Sequence, residues 1–393
     1  MIEVAQRRTL RAHGGRSESA PLTFLRRLDW ILLAATLGLV AYGLWVVSGI
    51  TRFDVPGDEG YFVVRQGFAA GVGMVGLIVA TVVPLDLARR YWKLVYGATL
   101  ALMVIVFVAA EAVRGSKRWI DLGFIQFQPS EFGKVLFVLA IAGFLVGRVG
   151  RLARWRTIGI ALALGAAPIF LVFLQPDLGT ALVYATALFA VLFFVGVRWR
   201  KLLALLLAGV VAALAILWLL PGAGVHVLKP YQTARLTLDP GADPGGLTYN
   251  LNQSITAVGS GGLTGRGPVE ASQTRLDYLP EHATDFAFAS LAEQRGFVGC
   301  AILLLLYLLV VWRALRVITV AGNLYGVAVA GGLVFAFLFQ IFVNVGMTMG
   351  LAPVTGIPLP FVTVGGSSMV ACLLLVGILQ NIHVRGELES GVR

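Results

Sequence analysis

The chain has 393 residues, of which 58% are apolar and 13% charged, with a formal net charge of +11. So few polar side chains cannot coat a water-facing surface, which excludes a soluble globular protein and points to an integral membrane protein. The positive charge reads as anchoring to anionic inner-leaflet lipid, and no nucleic-acid partner is expected.

In chain order, an Arg-rich segment over residues 1–29 comes first. It lacks a short apolar core followed by a small-residue cleavage site, so it reads as a retained cytoplasmic tail. Ten apolar runs follow, near 30–50, 61–83, 91–112, 130–148, 157–174, 178–197, 201–220, 297–312, 322–350 and 365–383. Each approaches the ~20 helical residues needed to cross a hydrocarbon core of roughly 30 Å. Most of the 31 Lys and Arg fall in loops on the side of the N-terminus. That bias places both termini in the cytoplasm and the excursion 221–296 outside. The expected fold is an all-α membrane protein of about ten transmembrane helices with one large extracytoplasmic loop. Its domains would be the tail 1–29, a polytopic membrane domain 30–385 and a second tail 386–393. Cys300 and Cys372 lie within apolar runs, where a small soft side chain packs well, so neither a disulfide nor a metal site is expected.

Polar residues that enter the membrane carry the functional signal, because they are costly there. The outer loop 111–129 sets Lys117 and Arg118 beside Trp119. Such a cluster suits a diphosphate, with Arg offering a fork and Lys a point charge, or else Trp119 is an interfacial anchor in a solvated loop. Gln128-Pro129-Ser130-Glu131 then reads as a helix start. Glu131 and Lys134 share a face three residues apart, either as a structural ion pair or as a lysine held by Glu131 to serve a phosphate site. Asp177, in Gln175-Pro176-Asp177-Leu178-Gly179-Thr180, can cap exposed N–H groups while lining a cavity.

The long loop carries Arg235 and Gln253, followed by the glycine-rich Val258–Gly267, which includes Ser260. Its glycines could bring main-chain N–H groups against a sugar or phosphate, or simply make turns. The loop returns to the membrane at Leu279–Phe286, where Thr284 is a candidate N-cap and Asp285 opens a helix running to Glu293, either as a second cap or as a carboxylate beside cationic segments. A base with cationic neighbours makes sense for group transfer from a phosphorylated lipid. The proline-rich stretch 353–361 reads as a wall or lid. Gln340 and Asn344 read as hydrogen-bond partners between helices.

These motifs together resemble the SEDS family of cell-wall shape, elongation, division and sporulation proteins. The resemblance runs over about residues 30 to 385. It rests on Lys117–Gly123, Gln126–Glu131, Gln175–Thr180, Leu279-Pro280-Glu281 with Thr284-Asp285-Phe286, and Gly365-Gly366-Ser367-Ser368. Pro353–Phe361 looks more like the RodA-like elongation branch than the division branch. Two departures stand out: Ala283 separates His282 from Thr284, which leaves His282 without an inferred role, and Thr363-Val364 replaces a usual Ser-Tyr.

The resemblance implies a peptidoglycan glycosyltransferase of the bacterial cytoplasmic membrane that polymerises lipid II into glycan strands at the outer face. Implied partners are lipid II, the nascent glycan strand, a cognate class B penicillin-binding protein and other elongation-complex membrane proteins. The family's essential loop aspartate falls on Asp285, and its paired carboxylate and lysine fall on Glu131 and Lys134. Lys117, Arg118, Trp119, Asp177, Arg235, Gln253 and Ser260 are the candidate substrate-binding residues. A divalent cation, magnesium or manganese, is the single candidate cofactor. The rival functions are a lipid II flippase and a non-catalytic scaffold for a transpeptidase.

Overall fold

The computed structural model describes residues 24–109, 118–121, 123, 126–224, 233 and 246–390. Its described elements are helical apart from one two-stranded ribbon. In order they are α1 (Trp30–Ile50), α2 (Tyr61–Val82), the short α3 (Leu85–Arg90), α4 (Trp92–Ala109), β1 (Ile120–Asp121) and β2 (Gln126–Phe127). Then come α5 (Pro129–Val146), α6 (Trp155–Leu174), α7 (Leu178–Phe194) and α8 (Trp199–Leu214), the last running on helically to Gly222. After them are α9 (Leu247–Ser260), the single-turn helices Gly267–Glu270 and Ser272–Arg275, then α10 (Ala287–Val320), α11 (Leu324–Thr348) and α12 (Gly366–Ser390).

Eight helices are long and apolar enough to cross a membrane, and α4 and α7 add two shorter apolar ones. These ten coincide with the ten expected runs. Both described ends of the chain meet at one end of the bundle, as an even number of crossings requires. There Arg27 Nη1 donates to Glu387 O at 2.7 Å, and Asp29 N donates to Gln380 Oε1 at 2.9 Å. Asp29 also caps α1 by accepting from Leu32 N, and its carboxylate holds Arg313 through both Nε and Nη2. A buried pair of this kind neutralises two charges that lipid cannot solvate, and it locks α1, α10 and α12 together.

Helices α5, α11 and α12 form the enclosed centre, with α12 packed along α2. Helix α8 is scarcely buried by the protein. An apolar helix in lipid gains little hydrophobic energy from a partner, so such a peripheral position is no defect.

The helix expected from Asp285 to Glu293 and the apolar run 297–312 are one element, α10, which begins at Ala287 and bends at Gly296 (φ 63°, ψ −161°). The glycine-rich loop lies across that bend. Phe297 N donates to Gly262 O (2.9 Å), Val298 N to Leu263 O (3.0 Å) and Arg266 N to Glu293 O (2.9 Å). The backbones approach so closely that a Cβ on Gly296 would stand 2.4 Å from Gly265 N. Main-chain packing against a helix bend is therefore what these glycines do. This φ, ψ region is close to glycine-only and costs other residues ~1–3 kcal/mol before any clash. Gly296→Ala is accordingly expected to lower thermal stability by several degrees in detergent. Gly259→Ala, where a Cβ meets nothing within 4 Å, is expected to leave it unchanged. Equal melting curves for the two would contradict this account.

Candidate active site

Helix α5 starts at Pro129, whose missing N–H costs nothing in a first turn. One turn in, Lys134 Nζ lies 2.8 Å from both Oε1 and Oε2 of Glu131, with the Glu131 side chain fully buried. Both readings of this pair required the contact, and the structure supplies it in two-toothed form. Tyr184 on α7 donates its hydroxyl to Ser130 O at 2.9 Å, fixing the first turn of α5 against α7.

The entrance of α7 meets that of α5. Asp177 Oδ1 accepts from Thr180 N at 3.0 Å, so the expected cap is real, and its Oδ2 accepts from Gln128 Nε2 at 3.4 Å. Arg118 donates through Nε to Gln175 O at 3.0 Å and through Nη2 to Pro176 O. Its guanidinium thus holds the α6–α7 turn while keeping its charge, and Trp119 beside it is half-buried at the start of the ribbon. Ser367, at the start of α12, accepts from Gln128 N (2.8 Å) and donates to Gln126 O (2.9 Å). Residues from four segments are thereby assembled at one end of the bundle.

Asp285 reaches the same end on a segment clipped to the proline-rich stretch. Val364 N donates to Ala283 O at 2.9 Å, Thr363 Oγ1 to Thr284 O at 3.0 Å, and Asn344 Nδ2 to Asp285 O at 3.1 Å. The same Asn344 nitrogen donates to Ile357 O at 2.8 Å. On its other side the stretch is held by Gln66, which donates to Thr363 O and accepts from Gly365 N, each at 3.1 Å. Its residues Thr355 and Ile357 press on Gly179 in the first turn of α7, where a Cβ would come within 2.7 Å of both. The wall expected from three prolines is therefore the piece that connects the Asp285 segment to the α7 entrance.

Three local expectations are corrected. Helix α10 begins at Ala287 with no side-chain cap; Thr284 donates instead to Glu281 Oε2 at 2.8 Å, closing the turn before the helix. Asn344 binds the backbones of two loop segments rather than a facing helix, because loop carbonyls reach the bundle at its level. Gln340 Nε2 is buried with no hydrogen-bond partner among the described residues.

Gln253 and Ser260 lie on α9, which packs on α10 and is tied to α11 by Ser254 Oγ donating to Thr348 O at 2.8 Å. Gln253 is half-buried, and Ser260 donates to Ala257 O within its own helix. No hydrogen bond joins either to the α5 and α7 entrances among the described residues. Lys117 and Arg235 fall outside the described residues.

Sequence reasoning missed Glu293. Its fully buried carboxylate accepts from Gln273 N (2.8 Å), Thr274 N (2.9 Å) and Thr274 Oγ1 (2.7 Å), pinning the loop that leads to Asp285. A lone glutamate at the head of an apolar helix was the available signal. His282 was also left without a role, yet its Nε2 lies 3.0 Å from Asp54 Oδ1 in the α1–α2 turn. Burial disfavours its charged form, but the hydrogen bond and charge of Asp54, aided by Asp277, outweigh that and raise its pKa above the ordinary value.

The profile of the FtsW, RodA and SpoVE cell cycle proteins matches residues 26–387. The chain is 36% identical over 364 residues to the peptidoglycan glycosyltransferase MrdB of Escherichia coli K12, covering 92% of this chain and 96% of that one. It is 35% identical over 358 residues to stage V sporulation protein E of Bacillus subtilis, covering 89% and 94%. Among solved structures, a chain from work on the structural coordination of polymerization and crosslinking by a peptidoglycan synthase complex superposes with a TM-score of 0.76. It is 30% identical, with coverage of 91% of this chain and 98% of that one. The rod shape determining protein RodA of Thermus thermophilus gives a TM-score of 0.66 at 29% identity, covering 91% and 96%.

Proposed function

The chain belongs to the FtsW, RodA and SpoVE family of cell cycle proteins, and from that premise we propose that it is a multi-pass peptidoglycan glycosyltransferase. It polymerises lipid II into glycan strands during cell elongation. The reaction takes place at the outer face of the cytoplasmic membrane, beside a cognate class B penicillin-binding protein that cross-links the product. The observation that carries this reading is the clip of Asn344, Thr363 and Val364 on residues 283–285. It ties the main chain of Asp285, a half-buried residue, through Asn344 to Ile357, which packs on Gly179 in the first turn of α7 next to Asp177.

The chemistry follows as an inverting glycosyl transfer. The growing strand is the donor, carried on undecaprenyl diphosphate, and the GlcNAc 4-hydroxyl of lipid II attacks its anomeric carbon. Asp285 accepts the hydroxyl proton as the new C–O bond forms and the bond to the diphosphate breaks, with the electron pair leaving on the diphosphate. Arg118 and Lys117 supply positive potential to that leaving group. Lys134 has three N–H donors and Glu131 takes two, so the third can reach a phosphate oxygen while the pair stays neutral overall. The positive-inside bias that puts this end of the bundle outside is the support for the active face.

Among the described residues no group of three or more His, Cys, Asp and Glu side chains is disposed to hold a metal ion. Magnesium or manganese is proposed only as a companion of the substrate's own phosphates.

The test is polymerisation of purified lipid II by the full chain with its partner in detergent, resolved on a gel, with added magnesium or manganese and with EDTA. Glycan ladders are the expected product. Detergent abolishes leaflets, so ladders would rule against flipping or scaffolding as the whole activity, and their absence with the partner present would overturn the proposal.

A further inference from the structure

His282 is a buried titratable side chain that the mechanism above leaves unused, three residues before Asp285. Its ring is a bridge between elements. Nε2 lies 3.0 and 3.2 Å from the two carboxylate oxygens of Asp54, in the turn between α1 and α2, and Nδ1 lies 3.6 Å from Asp277 Oδ1. Its own backbone oxygen accepts from Ser290 Oγ, in the first turn of α10, at 3.2 Å.

The segment that carries Asp285 is thus gripped from two sides by bonds of different kinds. On the side of the proline-rich stretch, Asn344, Thr363 and Val364 make neutral hydrogen bonds, which do not change with pH. On the side of the α1–α2 turn the grip is an imidazole against a carboxylate, and it strengthens when the ring is charged.

We propose that His282 is a positioning residue: held by Asp54, it sets where the carboxylate of Asp285 stands, and it does so fully only in its protonated form. This rests on the reading of Asp285 as the base. Displacement of a catalytic group by about 1 Å can cost on the order of a hundredfold in rate, so a tether three residues away is close enough to matter.

The charged groups on the ring are Asp54 from the α1–α2 turn and Asp277 from the preceding loop. Arg52, in the same turn as Asp54, pairs with Glu59 at 3.0 Å. The described surroundings are therefore acidic, and they hold the proton on His282 against the cost of burial. A group whose pKa is raised on folding contributes its interaction at low pH and loses it as pH rises through the raised value. The tether should therefore weaken on the alkaline side.

The experiment measures initial rates of lipid II polymerisation by the full chain with its class B partner, from about pH 6 to about pH 9, spanning the titration of an imidazole. It compares wild type with His282→Gln and Asp54→Asn. Wild type is expected to lose rate as pH rises. Both variants are expected to lose that alkaline fall and to have kcat lower by about tenfold or more, with KM within about twofold. Asp54→Asn keeps the shape of the side chain and an oxygen acceptor, so it carries the test if His282→Gln does not fold. Wild-type kcat together with the wild-type alkaline fall in Asp54→Asn would overturn this inference alone. A wild type that makes no polymer would bring down the glycosyltransferase reading, and this inference with it.

Discussion

Asp285→Ala is expected to abolish detectable glycan polymerisation while leaving the protein folded. A positioned general base contributes about 10²–10⁴ in rate, and nothing else on its segment offers a substitute at the same place. The fold should tolerate the change because the clip on residue 285 uses its main-chain oxygen, which Asn344 binds at 3.1 Å, and alanine keeps that oxygen. Helix α10 starts two residues later with no side-chain cap to lose. Gel-resolved products from lipid II measure the activity, and a melting curve in detergent measures the fold. Ladder formation at the wild-type rate would remove Asp285 from the mechanism.

Breaking the Glu131–Lys134 pair should have the second largest effect, and on two quantities that can be separated. Glu131→Ala leaves the ammonium of Lys134 enclosed without its counter-charge, a situation that typically costs ~3–5 kcal/mol. Marked destabilisation or failure to purify as a single species is the expected result. The double change Glu131→Leu with Lys134→Met removes both charges and keeps apolar volume, and exchanges of that kind are commonly neutral or stabilising. We expect the double variant to recover its melting temperature but not its polymerisation. Recovery of both would show that the pair is only a structural fastener. Loss of both would mean that the site tolerates no apolar replacement.

Much of this was legible in the residues. Ten apolar runs became ten helices because the requirement to satisfy backbone groups in lipid leaves a stretch of ~20 apolar residues little alternative to a helix. Asp177 capping α7 and Pro129 opening α5 were readable because capping is local: the partner N–H lies within three residues. Glu131 and Lys134 were paired in advance by helical spacing alone. The same locality misled at Thr284, where a plausible cap donates to Glu281 instead, since the turn before the helix, closed by Thr284 N and Phe286 N donating to Glu281 O, uses the same hydroxyl. It also misled over the glycine-rich loop, whose backbone freedom signals close approach but does not say to what. The answer, the bend of α10, lies about thirty residues further on.

By itself the sequence determined the membrane class, the spans and the identity of the ionisable groups that lipid would not tolerate without a purpose. It could do so because hydropathy, charge and capping act over a few residues. Only the tertiary structure decided which of those groups work together. Asn344 on α11 reaches Asp285 and Ile357, Gln66 on α2 holds Thr363 and Gly365, and Asp54 after α1 meets His282. Those contacts join residues as many as 299 positions apart. They exist because each buried amide or charge must find a partner wherever the packed helices bring one, and no local pattern encodes that choice.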